Sequence, residues 1–148
     1  MASPSPDAAS SDAASVDLYR DTPVRFLGYA NELGESFKPL IPRVAYFGTY
    51  GVACAYVAAD ANDKYQRDGD VARGVDALVW QALASVIVPG FVVNRVVAAA
   101  GRATMRPMVP TFCGLASIPL IIKPIDHAVD AAMDASLRPY VLKTPTSD

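Results

Sequence analysis

Between Asp76 and Arg95 the chain runs eighteen residues without a formal charge, ALVWQALASVIVPGFVVN, and two shorter charge-free stretches flank it. A helix that crosses about 30 Å of hydrocarbon needs roughly 20 mostly apolar residues at about 1.5 Å each. The central stretch nearly meets that length unaided. Positions 44–59 (VAYFGTYGVACAYVAA) and 107–122 (PMVPTFCGLASIPLII) supply about sixteen residues each. Snorkelling of Arg43, Arg106 and Lys123 toward the headgroups lengthens them. The expected fold is therefore all-α: a membrane helical bundle with three transmembrane helices, at about 44–59, 77–93 and 107–122, flanked by amphipathic helices at about 22–38 and 125–138.

Composition agrees with this reading. The 148 residues are 52% hydrophobic and 19% charged, with a mean hydropathy of +0.23, and the charges collect in blocks between the apolar stretches rather than interleaving with them. A net charge of −2 with no basic face excludes a nucleic-acid footprint. Cys54 and Cys113 both fall inside apolar stretches, where a cysteine is usually a small buried hydrophobe, and neither their number nor their spacing suggests a disulfide or zinc. Residues 1–15 are Ala, Ser, Pro and Asp after the initial Met, a composition too poor in large apolar groups to order itself, and 141–148 reads as a second tail. Asp7, Asp12 and Asp17 precede the first basic residue, Arg20, so neither an Arg-rich transit peptide nor an apolar signal segment is visible, and any organellar address is expected to be internal.

Thr22-Pro23 makes a helix start, and Phe26, Ala30, Leu33 and Phe37 then form one apolar stripe, with Arg25, Asn31, Glu32, Glu35 and Lys38 elsewhere on the helix. Such a helix suits a membrane surface or a neighbouring protein. Within the first span Gly51, Ala55 and Ala59 recur every fourth residue, a small-residue stripe suited to close helix packing, inside the bundle or between copies. Gln81 and Ser85 share a face of the second span and should turn from lipid toward the bundle. Pro89 and Gly90 should kink it. Pro124 opens the last helix, whose Asp126, Asp130 and Asp134 form a solvated acidic ridge, with Asp134 one turn from Arg138.

Chemistry is scarce. There is no P-loop, the lone His127 has no nucleophile motif beside it, and the span interiors contain no ionisable pair for a proton relay. No catalytic residue, metal site or cofactor is expected. Interfacial ion pairs are expected between Glu32 or Glu35 and Arg95, and between Lys123 and Asp60 or Asp76. The acid-free loop 95–106 favours the N-terminal side facing inward.

Four stretches carry a resemblance: DLYRDTPVRFLGYANELGE from Asp17, YGVACAYVAADANDK from Tyr50, VWQALASVIVPGFVVNR from Val79, and GLASIPLIIKPIDHAVDAAMDASLR from Gly114. In this order, and covering well over half the chain, they resemble the mitochondrial fission process protein family. The connections 64–75 and 95–109 look shorter than that family's, and Lys123 stands where a histidine is expected. The resemblance implies a non-enzymatic, multi-pass protein of the mitochondrial inner membrane that promotes division of the organelle. Its implied partners are the lipid bilayer and other inner-membrane proteins. A scaffold that shapes the membrane and recruits or regulates the fission machinery is the leading reading. An accessory subunit of a respiratory assembly comes second, and an inner-membrane channel or permeability regulator third.

Overall fold

The computed structural model describes Tyr19 and residues 22–142. The tail expected at 1–15 lies outside the described residues, as do 143–148 of the tail expected at 141–148. Every regular element described is helical.

The Thr22 hydroxyl accepts a hydrogen bond from the Val24 N–H at 3.2 Å, and Pro23 occupies the first turn, where no N–H is needed. A 3₁₀ segment, Pro23–Tyr29, then passes into helix α1, Ala30–Phe37. Helix α2, Arg43–Asp68, ends on Gly69, whose φ of 64° lies in the left-handed region that glycine adopts without strain. Asp70 caps the next helix by accepting from the Ala72 N–H at 2.9 Å. That helix begins a single rod, Val71–Ala103, composed of α3 (Val71–Gln81), a π-wound segment (Ala82–Ile87) and α4 (Val88–Ala103). The winding widens because Pro89 has no N–H and its ring crowds the preceding turn; the Val88 N–H reaches the Leu83 carbonyl, five residues back.

Helix α5, Met108–Ala135, continues through both Pro119 and Pro124. The third apolar stretch and the amphipathic helix expected at 125–138 are therefore one helix, and Pro124 does not open a new one. In water a proline ends a helix cheaply because the freed groups are hydrated. In apolar surroundings ending the helix would orphan several bonds rather than one, so the chain absorbs the defect. A short α6, Arg138–Val141, follows.

Among the described residues two elements are long and apolar enough to cross a membrane: the rod Val71–Ala103 and α5. Only 28% of the apolar window in each is buried within the chain, whereas the core helix of a water-soluble protein would be mostly covered. The first expected span, 44–59, lies in α2. That helix has the length, but Asp60, Asp63, Lys64, Arg67 and Asp68 crowd its last third, so three spans are not met by length and apolarity together.

The polarity of the bundle is inverted in part. Phe26, Phe47, Phe91 and Phe112 are 62 to 66% exposed, while Asn31, Glu32, Ser36 and Asp60 are fully buried. Cys54 and Cys113 are also exposed, contrary to the expectation for a small hydrophobe, because they sit on this outward apolar surface. The segment 22–38 departs most from expectation. Its stripe residues Phe26 and Leu33 face outward, while Asn31, Glu32, Glu35 and Ser36 pack inward against α2, α4 and α5. It runs antiparallel to α5, with Ser36 beside Gly114 at one end and Arg25 facing Asp126 at the other. Seven 3₁₀ and eight α residues give it a length of about 26 Å, close to that of a hydrocarbon core. It is thus a member of the bundle and not a flanking helix.

The main apolar cluster, Ala84, Ile125, Val129 and Met133, joins the π segment to the second half of α5. At the other end the approach of α1 to α5 depends on Gly114: a Cβ there would lie 2.7 Å from both Ser36 Oγ and Val97 Cγ2 and 3.0 Å from the Ser36 backbone. Gly114→Ala should lower stability by about 1–3 kcal/mol through this overpacking. Gly101→Ala, whose Cβ would meet its nearest neighbour at 3.8 Å, should be neutral or slightly stabilising. Unfolding of the two variants in mild detergent makes the comparison.

Candidate functional site

Polar residues meet at three places inside the bundle, and Glu35 on α1 centres the first. Tyr46 and Tyr50, one turn apart on α2, both donate to its Oε1, Tyr50 at 2.6 Å; Asn94 on α4 donates to Oε2 at 2.7 Å; and the Lys38 ammonium lies 3.5 Å from Oε2. The three hydrogen bonds and the Lys38 charge thus supply donors to a carboxylate that is 2% exposed. The Arg95 guanidinium donates to the Asn94 side-chain oxygen at 2.8 Å and lies 5.5 Å from the centre of the Phe91 ring. Glu35 and Arg95 are therefore joined through Asn94 and not as a direct ion pair.

One turn before Glu35 the environment reverses. Glu32 is fully buried, and neither carboxylate oxygen has a hydrogen-bond partner. The neighbouring Asn31 donates its amide to the Val86 carbonyl at 3.0 Å, in the π-wound turn ahead of Pro89. A Cβ at Gly90 would crowd both Asn31 Nδ2, at 2.9 Å, and the Tyr50 hydroxyl, at 3.2 Å. Pro89 and Gly90 thus shape the groove into which α1 inserts its amide.

Asp60 is the second centre. It accepts from Gln81 Nε2 at 2.7 Å, its other oxygen lies 3.5 Å from Lys64 Nζ, and Gln81 Oε1 accepts from Ser85 Oγ at 2.6 Å. Gln81 and Ser85 thus face α2. Among the described residues Lys123 pairs with neither Asp60 nor Asp76 and is exposed. The third centre is Arg138, which donates to Asp76 at 3.0 Å, Asp130 at 3.0 Å and Asp134 at 2.8 Å. Its guanidinium is held above its ordinary value, chiefly by the bonds to Asp134 and Asp76. Trp80 donates its indole N–H to the same Asp130 oxygen at 2.9 Å, so part of the ridge expected to be solvated is a strut between α3 and α5. Gly51 and Ala55 are exposed, Ala59 is half-buried, and a Cβ at Gly51 would meet nothing within 4 Å. That stripe faces away from the rest of the described chain.

Sequence reasoning places Gln81 and Ser85 on one face but misses Glu35 as a hub, because its donors lie 11, 15 and 59 positions away. The signal that could have found it is the repetition of polar Asn31, Glu32, Glu35 and Ser36 on one face of a short helix beside charge-free spans.

Glu32 is buried with both carboxylate oxygens unpartnered, so Glu32→Gln, which keeps the shape and removes the ionisable group, should be at least as stable as the wild-type chain, as read from unfolding midpoints in detergent.

No protein-family model matches the chain, and no solved structure matches it. It is 49% identical over 143 residues to mitochondrial fission process protein 1 of Homo sapiens, covering 82% of this chain and 86% of that protein. To the protein of the same name from Danio rerio it is 50% identical over 145 residues, covering 83% and 87%. To that from Caenorhabditis elegans it is 40% identical over 144 residues, covering 82% and 87%. Near-half identity over more than four fifths of both chains means that this chain belongs to the mitochondrial fission process protein 1 family.

Proposed function

We propose that this chain is an integral protein of the mitochondrial inner membrane that promotes mitochondrial division without catalysing a reaction, by shaping the membrane and recruiting or regulating the division apparatus. The observation that carries the proposal is the inverted bundle, with phenylalanines outward and carboxylates inward, in a member of a family named for fission. An outward apolar surface of this kind is stable in lipid and a liability in water. The stretch 44–59 in α2, whose Val44, Phe47 and Val52 are exposed, serves as the third span in this reading.

Severing a bilayer takes mechanical work, and the sequence carries no P-loop to supply it. The protein therefore acts on other components. Segment 22–38 contributes as a strut that ties α2 to the π-wound segment and α4 through Glu35 and Asn31, and not as a wedge lying on one leaflet. A second reading, an accessory subunit of a respiratory assembly, is favoured by one feature: the outward stripe of Gly51, Ala55 and Ala59 suits close approach of a partner's helix.

Re-expression in cells deprived of their own family member tests the proposal. The wild-type chain should resist alkaline extraction from mitochondrial membranes and restore division. Glu35→Ala, which leaves Tyr46, Tyr50 and Asn94 without their acceptor and should cost about 1–3 kcal/mol, should restore little. Recovery of the wild-type chain in the aqueous extract, or unchanged mitochondrial shape, would count against it. Stoichiometric comigration with a respiratory complex on native gels would favour the second reading.

A further inference from the structure

A cavity of about 290 Å³ opens between the 3₁₀ segment, α2, the α3–π junction and α5. Its lining includes Arg25, Tyr29, Tyr56, Trp80, Gln81 and Asp126. Its depth in the bundle is set by the charge pattern. Asp60 closes the charge-free stretch of α2 one turn beyond Tyr56, Asp76 opens that of the rod one turn before Trp80, and Lys123 closes that of α5 just before Asp126. The cavity therefore lies where hydrocarbon gives way to headgroups, the level at which Tyr and Trp side chains are enriched.

One guanidinium and one carboxylate face this cavity together. The charged form of Arg25 is favoured first by its bond to Tyr29, at 3.2 Å, and in smaller part by Asp126. A site lined by both signs suits a ligand that also carries both. A planar guanidinium matches a phosphate, and an ammonium is favoured beside a carboxylate and over aromatic faces. The volume sits at the bottom of the range for small-molecule pockets, which suits a headgroup.

We propose that this cavity binds a phosphate–ammonium headgroup of the ethanolamine class, with the phosphate on Arg25 and the ammonium on Asp126 against the rings of Tyr56 and Trp80. The lipid source of that headgroup rests on the membrane reading above; the headgroup chemistry does not. Trp80 is the chain's only tryptophan, so the site carries its own reporter.

The test titrates the full chain in a maltoside detergent with dihexanoyl phosphatidylethanolamine, dihexanoyl phosphatidylglycerol and free phosphoethanolamine, reading Trp80 emission and retained ligand by native mass spectrometry. A saturable response to the ethanolamine lipid, about tenfold tighter than to the glycerol lipid, is expected. Arg25→Gln should weaken both lipids, and Asp126→Asn should weaken only the ethanolamine lipid. Equal binding of free phosphoethanolamine upholds the headgroup chemistry and assigns its source to water; much weaker binding assigns it to the bilayer. No retained lipid and no emission change, or no preference between the two lipids, in the wild-type chain overturns the proposal and needs no variant to fold. Because the readout is binding in detergent, its failure leaves the division role standing, and absence of a division phenotype leaves the site standing.

Discussion

A carboxylate shut away from water must find donors in the protein, and Glu35 finds them on two other helices. Tyr46 and Tyr50 bring α2 to it, Asn94 brings α4, and Lys38 supplies a positive charge from its own helix. No other described side chain on α1 accepts bonds from two neighbouring helices. The position of α1 follows, and with it the closeness of α1 to α5 at Gly114 and the insertion of Asn31 toward the π-wound turn. Glu32, one turn away, shows the same side chain without donors: it is fully buried and neither oxygen has a hydrogen-bond partner.

The all-helical architecture and the two apolar rods were legible because lipid imposes a blunt rule. Charges are excluded over a fixed length, and a charge-free stretch needs no partner to be recognised. The orientation of segment 22–38 was not legible. The stripe of Phe26, Ala30, Leu33 and Phe37 defines two faces on a helix, but its periodicity is the same whether the apolar face meets a core or a lipid tail. Which face turns inward depends on what α2, α4 and α5 offer to the other one, and those offers come from residues up to 59 positions away.

The prolines show the same limit. Pro124 ends a helix by the preferences of chains in water, yet α5 runs through it. Pro89 does disturb its helix, by widening a turn rather than stopping the rod. At Arg138 the partner four residues back, Asp134, was visible in the spacing, whereas Asp76, 62 positions away, was not. Local periodicity reveals elements and near neighbours; the contacts that join elements depend on the fold.

The separation between Glu35 and Asn94 has a bearing on how the protein is made. Segment 22–38 is synthesised before the helices that complete its surroundings: its polar face lacks its full complement until the rod carrying Asn94 and the helix carrying Gly114 exist. In the membrane reading, entering a bilayer ahead of them would strand two carboxyl groups in hydrocarbon. The segment thus settles only after helices translated later than itself, and in that reading biogenesis holds it at the aqueous boundary until they have been laid down.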